Sequence, residues 1–510
     1  MKIRRCLISV SDKTDLESVA ETLKEFNIEI LSSGGSAKYL QDLGYTITPI
    51  EKITKNPEIL NGRVKTLSYQ VSAGILFDRD NKNHLEEMTK ADLLSIDLVI
   101  CNLYPFEKKM EQTEDLDQLI ESIDIGGPTV LRAAAKNYKH TCAVTHIKDY
   151  PNLIDQLKNQ NGSTTELFRK EMALKIFSHT YHYDRLIAEV FSRENFELRY
   201  GENPHQKAIY IPNSSTPNLL AGKQLHGKEF SYNNFLDMEN SLNLLSELSV
   251  MLPTYKHVTV YKHGAPCGVC SSKNSSLEKT IEKAWNCDPI SAFGSIISSN
   301  TEIDGLSANF LNSKFIEIVI APSFTEEAIK ILTQKKNIRL YQISPYEKLK
   351  KKSIRQLTGL DIIQDTDIHY SKEIISVTKK SFKEDDLGVF GVITCKYLKS
   401  NAVNIVSRSD LNFWVSGAGC AQPNRLDSFA LAAKKHYDYK NNSELKDKIE
   451  SSILVSDAFF PFDDIVKLCT EIDIDQVIQP GGSKNDQAVI QTCNDLNIAM
   501  KFTGVRHFNH

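Results

Sequence analysis

The sequence lacks any run of apolar residues long enough to cross a membrane, which takes about 18 of them. Its start, MKIRRCLISVSDK, has only five mostly apolar residues, 6–10, and this is too short for a signal-peptide core. The formal net charge of -4 provides no basic excess to neutralise nucleic-acid phosphates or an anionic membrane. We therefore expect a cytoplasmic protein that binds neither nucleic acid nor membrane.

The sequence also lacks the cysteine spacing of a disulfide framework. Its ten cysteines are scattered, and only Cys267 and Cys270 have C-x-x-C spacing, which fits free thiols in a reducing compartment. No low-complexity tract, coiled-coil heptad or short repeat is visible. What is present is an ordinary globular composition, 41% apolar and 25% charged over 510 residues. That length suggests about two to four domains.

The first part of the chain alternates between strand and helix patterns. Strands are predicted at 3–10, 28–31, 45–50, 95–106 and 141–147. Helical spacing over 16–26, with Ser11 or Asp12 as N-cap, and over 37–43, with Gly44 as C-cap, fills the gaps. This alternation predicts an α/β domain with a parallel sheet and covering helices. A long amphipathic stretch at about 166–193 closes the unit, so we place its boundary at residue 195.

The alternation resumes beyond that boundary and occurs twice. Strand patterns are predicted at 257–263, 294–300 and 315–322, and again at 453–460, 475–480 and 499–504. Two similar halves, residues 196–350 and 351–510, are consistent with an internal duplication. The lysine-rich segment between them, YEKLKKKSIRQ, is most simply a solvated connection, with a binding role as the alternative.

Several stretches of the first part are candidate anion or catalytic sites. Ser-Ser-Gly-Gly-Ser, residues 32–36, lies between a strand and a helix, where glycines and helix amides can cradle a phosphate; a plain turn is the alternative. Arg63 and Lys65, two residues apart, can face the same side of an extended segment, or be surface cations. Tyr104 follows a strand end, where open α/β sheets bind ligands. For Asp124, the spacing favours capping of the next helix.

The segment YKHGAPCGVC, residues 261–270, contains the P-C-x-x-C half of a zinc-deaminase signature. Such a site also needs H-x-E, and that pattern occurs only at 84–86, in what we assign to another domain. Lys262 and His263 are the alternative reactive groups, at a strand end before a predicted turn. A nearby ammonium disfavours the imidazolium form, so His263 would be neutral and able to accept a proton.

The motifs as a set resemble a known family. SVSDKT, SSGGSAK, GRVKTL, CNLYPF, IDIGGPTVLRAAAKN, RYGENPHQ, KHGAPCG, DPISAFG, SDAFFPF, PGGS and FTGVRHFNH occur in this order over nearly the whole chain. They are similar to those of the bifunctional purine-biosynthesis enzymes that combine AICAR formyltransferase with IMP cyclohydrolase. The resemblance implies a methylglyoxal-synthase-like domain followed by a duplicated cytidine-deaminase-like region without catalytic zinc. It also implies formyl transfer from 10-formyltetrahydrofolate to AICAR, ring closure of FAICAR to IMP, and a homodimer.

The resemblance implies roles for residues whose motifs match. For formyl transfer it implies His263 as the base and Lys262 as the group that stabilises the oxyanion. For ring closure it implies catalysis by Lys65, Tyr104, Asp124 and Lys136. Substrate binding is implied for Lys13, Ser33, Gly34, Gly35, Ser36, Arg63, Thr66, Arg199, Tyr200, Asn401, Phe459 and Arg506, and folate binding for Gly294 and Asp464.

Three departures from the family pattern keep other functions open. Ser68-Tyr69 stands where the family has His-Pro, Ala265 replaces an amide that can orient the formyl oxygen, and Ala421 replaces a glycine. Ala421 would be strained if its position needs a positive φ. The alternatives are a purine-nucleotide sensor or inactive scaffold of the same family, and a zinc-dependent deaminase.

Overall fold

The computed structural model describes residues 1–55, 59–60, 64, 66–193, 196–212, 219–345, 352–368, 374–383, 385–410, 412–442 and 448–510. They form two compact units, Met1–Phe196 and Glu197–His510. Within these ranges, no helix is long and apolar enough to span a bilayer. Two predicted site residues, Arg63 and Lys65, lie outside the described residues.

The first unit alternates strands and helices as its sequence pattern predicts. Its elements in chain order are β1 (Arg5–Val10), α1 (Leu16–Glu25), β2 (Glu29–Ser32), α2 (Gly34–Asp42), β3 (Ile47–Pro49), α3 (Ile50–Thr54), α4 (Tyr69–Leu76), α5 (Lys82–Lys90), β4 (Leu98–Asn102), α6 (Phe106–Gln112), α7 (Leu116–Glu121), α8 (Gly126–Lys136), β5 (Cys142–Val144), α9 (Tyr150–Asn159) and α10 (Glu166–Ser192).

These strands form a parallel sheet in the order β3-β2-β1-β4-β5. Successive residues of β1 point to opposite faces of the sheet. Leu7 and Ile8 are therefore both fully buried, each in a separate apolar cluster under the covering helices. The predicted parallel sheet is confirmed. Because β2 and β4 lie on opposite sides of β1, the order of strands reverses beside β1 and leaves a crevice at their carboxyl ends.

The predicted N-cap of α1 is wrong. The helix begins at Leu16, and the residue before it, Asp15, has φ 58° and makes no side-chain cap. The carboxylate of Asp12 instead accepts bonds from the main-chain N–H (3.0 Å) and hydroxyl (2.7 Å) of Thr14. Asn102, at the end of β4, accepts the N–H groups of Ser11 (2.7 Å) and Asp12 (3.0 Å). This loop is therefore tied to β4 rather than used as a helix cap.

The second unit begins with a half whose described elements end at Gln342. They are β6 (Glu197–Leu198), β7 (Ala208–Ile209), β8 (Lys223–His226), α11 (Tyr232–Met251), β9 (Lys256–Lys262), β10 (Ala265–Ser272), α12 (Leu277–Asn286), α13 (Pro289–Ala292), β11 (Ser295–Ser299), α14 (Gly305–Ser313), β12 (Ile316–Ala321), α15 (Glu326–Leu332) and β13 (Arg339–Gln342).

The other half follows an exposed hairpin. Its elements are β14 (Lys352–Leu357) and β15 (Leu360–Asp365), which form the hairpin, and then β16 (Ile375–Ser376), α16 (Asp385–Lys396), β17 (Val403–Ser409), β18 (Asn412–Gly419), α17 (Arg425–Lys440), β19 (Ser451–Ser456), α18 (Asp464–Cys469), β20 (Gln476–Gln479), α19 (Asp486–Asp495) and β21 (Ala499–Phe502). The described part of the lysine-rich connection, β14, is exposed, as its solvated interpretation requires.

A single sheet runs through both halves, in the order β16-β21-β20-β19-β17-β18-β10-β9-β11-β12-β13-β8. Outward from its centre, each half repeats an antiparallel hairpin, three mutually parallel strands and an antiparallel edge strand. This repeat supports an internal duplication. The predicted division at residue 350 stays a prediction, since the sheet joins the halves into one unit.

The two halves meet where β10 pairs with β18, and we call this the seam. The pairing is antiparallel, with Cys270 opposite Trp414. Helix α11 of the first half packs against α16 of the other, in an apolar cluster that includes Leu244 and Phe390. A buried ion pair also links these helices, with 3.0 Å between Lys396 Nζ and Glu247 Oε1. The seam is therefore held by strand pairing, apolar packing and one buried charge pair.

Candidate active sites

A cavity of about 970 Å³ opens in the first unit at the carboxyl ends of β1, β2 and β4. This is the crevice beside β1 where the strand order reverses, the usual ligand position in an open α/β sheet. Seven of the predicted site residues line it together: Lys13, Ser33, Gly35, Ser36, Thr66, Tyr104 and Asp124. The structure thus gathers residues that are up to 111 positions apart in the sequence, from 13 to 124.

One end of the cavity is formed by the start of α2. Gly34 begins the helix with φ 53°, and a Cβ atom built on Gly35 would lie 3.9 Å from Lys13 Nζ. The hydroxyl of Ser36 donates to Val10 O (2.9 Å), which fixes the helix start against β1. First-turn N–H groups have no partner within their own helix. Together with the Lys13 ammonium they suit an anion such as a phosphate.

Asp124 lies before α8, and its side chain caps the start of that helix. Its Oδ1 accepts the N–H of Gly127 at 2.8 Å, so the capping role favoured by the spacing is confirmed. Burial raises the pKa of this carboxyl, although hydrogen bonds from the main chain of Gly127, Tyr104 and Gly126 oppose the rise. A carboxyl with a raised pKa holds a proton closer to neutral pH, which suits proton transfer.

Thr66 and Tyr104 flank Asp124, whereas Lys136 lies elsewhere. A Cβ atom built on Gly126 would lie 3.0 Å from Thr66 Oγ1, so Thr66 contacts the start of α8. Tyr104 is 53% exposed and lines the cavity. Lys136 is exposed in the last turn of α8, about 15 Å along the helix axis from its start. It is absent from the described lining of the cavity.

The sequence reasoning missed Tyr183, a residue of α10. Its hydroxyl oxygen accepts the main-chain N–H of Asp124 at 2.7 Å, and burial raises its pKa to about 12. Tyr183 therefore anchors the loop that presents Asp124. No local motif marks it, because it lies 59 residues away in a helix whose pattern indicates only a packed face.

In the second unit, the two-residue turn His263-Gly264 joins β9 to β10, and Lys262 is the last residue of β9. His263 has φ 53° and Gly264 φ 77°, and Lys262 pairs with Ala265 across the hairpin. Two successive positive φ values are typical of a type I′ turn. The sequence predicts a turn here, and the structure confirms it, although Ala265 and Pro266 already belong to β10. The Lys262 ammonium donates to Phe293 O at 2.7 Å, and His263 is exposed.

Asp237, on α11, holds this turn and was also missed. Its two carboxylate oxygens accept the N–H groups of His263 (3.0 Å) and Gly264 (2.8 Å). Burial raises the pKa of this carboxyl, opposed by these bonds and by the charge of His263. The position of Asp237 in an amphipathic helix gives no sequence signal for a contact 26 and 27 residues away.

Residues from both halves meet around the turn. A Cβ atom built on Gly264 would lie 3.9 Å from Cε of Lys399, a residue that precedes β17. Lys399 O accepts the N–H of Ala421 at 2.7 Å. On the other side, a Cβ atom built on Gly294 would lie 4.0 Å from Lys262 Nζ. The structure thus brings Gly294 close to Lys262.

Asn401 and Phe459 belong to a connected polar network. Arg425 donates from Nη2 to Asn401 Oδ1 and to Asp457 Oδ1, both at 3.0 Å, and from Nη1 to Phe459 O at 3.3 Å. The hydroxyl of Ser400 donates to the other oxygen of Asp457 at 2.6 Å. Arg425 and Asp457 were not predicted as site residues, although Asp457 lies within the SDAFFPF motif.

The remaining predicted site residues of the second unit have described contacts away from the His263 turn. Arg199 lies with its guanidinium 4.9 Å from the ring centre of Tyr200, and Arg506 lies 4.3 Å from that of Phe508. Asp464 begins α18, where its carboxylate accepts the N–H of Ile465 at 2.8 Å. Among the described contacts, none joins these residues to Lys262 or His263.

The cysteines beside the turn do not have the character of zinc ligands. The Cys267 thiol donates to Val260 O at 3.4 Å, and burial raises its pKa to about 12. A zinc ligand is a thiolate, which such burial disfavours. Within the described ranges, one cluster of three potential metal ligands occurs, in the first unit at Asp78, Asp80 and His140. The arrangement does not favour the zinc-deaminase alternative.

Two of the three sequence departures have a structural consequence. Ser68 is the N-cap of α4, and its hydroxyl accepts the N–H of Val71 at 3.1 Å, so the position of the family's His-Pro here starts a helix. Ala421 has φ 57°, a left-handed conformation that favours glycine. The expectation of strain at Ala421 is confirmed. Ala265 is half-buried at the start of β10.

The fold and the sites define a two-unit α/β enzyme with a candidate active site in each unit. A family model described as AICARFT/IMPCHase bienzyme matches residues 134–435, and one described as MGS-like domain matches residues 15–129. The chain belongs to the AICARFT/IMPCHase bienzyme family. The predicted class, a bifunctional enzyme of purine biosynthesis, and the methylglyoxal-synthase-like first domain are confirmed. The cytidine-deaminase-like description stays a prediction.

Curated relatives match over the full length. The bifunctional purine biosynthesis protein PurH of Acetivibrio thermocellus is 39% identical and covers 100% of both chains. Those of Persephonella marina and Oceanobacillus iheyensis are 39% and 38% identical, each over 99% of this chain and 100% of its relative. A solved structure titled "Crystal structure of ForH" is 31% identical over 37% of this chain and 96% of that chain, with a TM-score of 0.34.

Proposed function

We propose that this chain catalyses the last two steps of IMP synthesis, with ring closure in the first unit and formyl transfer in the second. In the first reaction, the amine of AICAR takes the formyl group of 10-formyltetrahydrofolate, giving FAICAR and tetrahydrofolate. In the second, the carboxamide nitrogen of FAICAR attacks the formyl carbon and water leaves, giving IMP. Family membership supports both reactions, and neither step as written uses a metal.

The observation that carries the proposal is the cavity of the first unit, which joins an anion cradle to a carboxyl with a raised pKa. The amides at the start of α2 and the Lys13 ammonium suit the phosphate of FAICAR. Asp124 then moves a proton as the ring closes. Lys65, Arg63 and Lys136 retain the roles implied by the family motifs.

Formyl transfer is assigned to the seam of the second unit. The AICAR amine is conjugated with its ring and is a poor nucleophile, so a base must remove its proton as it attacks the formyl carbon. His263 is exposed on its turn and serves as that base, while the Lys262 ammonium stabilises the oxyanion. Arg199, Tyr200, Asn401, Phe459 and Arg506 complete the proposed AICAR site.

The folate is placed beside Gly294. Phe293 and Phe315 stack there with ring centres 4.8 Å apart, and they are 59% and 54% exposed. An exposed aromatic pair next to the Lys262 ammonium suits the flat ring system of a folate. Asp464 is proposed as a second folate contact. We further propose that the protein acts in the cytoplasm as a homodimer, as the family resemblance implies.

Turnover of purified protein tests the function. With AICAR and 10-formyltetrahydrofolate, we expect IMP and tetrahydrofolate to appear together. His263→Ala and Lys262→Ala are expected to lower formyl transfer by about 10²-fold or more while ring closure of added FAICAR continues. Lys65→Ala should show the reverse, and Lys434→Ala, an exposed lysine of α17, should change neither reaction. If both reactions fell together in each variant, the two-site assignment would be wrong.

The alternative, a nucleotide sensor or inactive scaffold of the same family, is not favoured, because the curated full-length relatives are bifunctional purine biosynthesis proteins. The same purified protein distinguishes the two functions. Binding of AICAR or IMP by calorimetry with no conversion of AICAR or FAICAR would favour the sensor, whereas turnover of either substrate would exclude it.

A further inference from the structure

A single carboxylate accepts both main-chain N–H groups of the turn that carries His263. Its two residues both have positive φ, a conformation that histidine adopts only at a cost in free energy. Successive N–H groups in such a turn point the same way and form a concave donor pair. The carboxylate of Asp237 fills that pair, one oxygen to each N–H, at 3.0 and 2.8 Å.

Asp237 lies on a different element from the turn, so its hydrogen bonds fix the turn relative to a helix outside the hairpin. It lies on α11, whereas the turn joins β9 to β10. The helix is fixed nearby by the pair of Asn234 Nδ2 and Glu317 Oε2, 3.2 Å apart. The far side of the turn is also tied, because the Tyr261 hydroxyl donates to Gly264 O at 3.0 Å. The imidazole of His263 therefore projects from a loop anchored at both ends.

We propose that Asp237 is a positioning residue for formyl transfer, which holds the His263–Gly264 turn and thereby fixes the imidazole at the seam. The inference rests on the proposed role of His263 as the base. The titratable groups that face Asp237 are His263 on the turn, Tyr261 on β9 and Glu317 on β12.

Asp237→Asn is the first test, since it keeps the shape of the side chain but retains only one acceptor oxygen and no charge. We expect kcat for formyl transfer to fall about 10- to 100-fold with little change in KM for AICAR, because misplacement of a catalytic group by about 1 Å has an effect of this size.

The matched control is Glu239→Gln, which removes one charge from an exposed position of the same helix. It should leave transfer within about twofold, since exposed charges contribute little. Ring closure of FAICAR by each variant serves as an internal check on the protein. A transfer rate for Asp237→Asn equal to that of Glu239→Gln would overturn the inference.

A second pair of variants changes the turn without changing Asp237. Gly264 has φ 77°, and a Cβ atom there meets only Lys399 Cε at 3.9 Å, so the change acts mainly through the main chain. Asparagine tolerates this conformation and valine does not. We expect Gly264→Val to lose as much transfer as Asp237→Asn and Gly264→Asn to retain more; equal rates for the two would overturn the inference. If His263→Ala transferred normally, the proposed base would be wrong, and if only Asp237→Asn did, the positioning role alone would fail.

Discussion

The cavity of the first unit and the turn at the seam differ in what holds their reactive groups. In the cavity, main-chain amides at the starts of α2 and α8 and the ends of parallel strands supply most of the geometry. At the seam, a two-residue turn is held by the side chains of Asp237 on α11 and Tyr261 on β9, and Lys399 of the other half lies beside it. The first site follows from one unit's own sheet, whereas the second depends on how two duplicated halves are joined.

A change that weakens the contact between the two halves should therefore lower formyl transfer at the seam and leave ring closure in the cavity unchanged. Lys396 on α16 and Glu247 on α11 form their ion pair with side chains only 7% and 1% exposed. Removing one partner of a buried pair costs about 3–5 kcal/mol, because the other charge stays buried. Lys396→Met should lower the free energy of unfolding of the second unit by that amount and reduce formyl transfer. Ring closure of FAICAR should persist.

Lys434→Met is the control for that change. Lys434 pairs with Asp438 on the surface of α17, and such exposed pairs contribute about 0.5 kcal/mol or less. Denaturant unfolding followed separately by each activity measures the difference. The double variant Glu247→Leu with Lys396→Met should recover most of the stability. A loss in ring closure equal to the loss in transfer would contradict the comparison between the two sites.

Asp124 tests the cavity side of the comparison. Asp124→Asn should reduce ring closure about 10²- to 10³-fold, because a neutral amide cannot move the proton. Formyl transfer should continue. Although Asp124→Asn should lower the rate of ring closure, it should raise the free energy of unfolding at neutral pH. Burial raises the pKa of the native carboxyl, so the wild-type fold loses stability as the pH rises from the ordinary carboxyl pKa through the raised native value.

Thermal unfolding at two pH values checks that sign. Above the native pKa of Asp124, the variant should unfold at a higher temperature than the wild type, since asparagine carries no charge to bury and can still accept the N–H of Gly127. Below the ordinary carboxyl pKa, both side chains are neutral and the difference should vanish. A variant that is less stable at both pH values would show that burial of the charge is not the dominant effect.

Gly127 tests how tightly the cavity is built. A Cβ atom there would lie 2.5 Å from Asp124 Oδ2 and 2.7 Å from Leu103 Cδ2, so Gly127→Ala must displace the Asp124 carboxyl. Overpacking of this kind costs about 1–3 kcal/mol, and ring closure should fall with it. Gly35→Ala is the contrast, because its nearest neighbour is Lys13 Nζ at 3.9 Å. It should leave the unfolding midpoint unchanged or raise it slightly, because alanine loses less conformational freedom than glycine on folding; equal destabilisation by the two would contradict this account.

The difference between the cavity, which is built from strand ends and helix starts, and the turn, which distant side chains hold, also explains which features the sequence predicts. Strand ends and helix starts can be inferred from hydrophobic spacing, so the parallel sheet, the glycine-rich cradle and the capping by Asp124 were all predicted. The contacts of Tyr183 and Asp237 were not, because each connects a helix to a loop 26 or more residues away. The predicted N-cap of α1 failed for a similar reason, since Asn102 of β4 competes for the same loop.

At the seam, the sequence indicates residue types but not conformations. Resemblance to the family raised the possibility of a strained alanine at 421, yet only the main-chain angle of 57° decides it. The described strands form a twelve-stranded sheet with a symmetric strand order, and the sequence does not predict that order. The two halves share too little sequence for their pairing to be inferred. The proximity of Lys399 to the His263-Gly264 turn likewise follows from tertiary structure rather than from any local motif.

Ala421 provides the mildest test of the seam. A left-handed conformation costs an alanine about 1–2 kcal/mol, and glycine gives back about 0.5–1 kcal/mol through its freedom in the unfolded chain. Ala421→Gly should therefore raise the free energy of unfolding by up to about 1 kcal/mol. Ala418→Gly, in the regular part of β18, should lower it by about 0.5–1 kcal/mol. Denaturant midpoints of the two variants should thus move in opposite directions, and a shift of both to lower denaturant would mean that position 421 stores no strain.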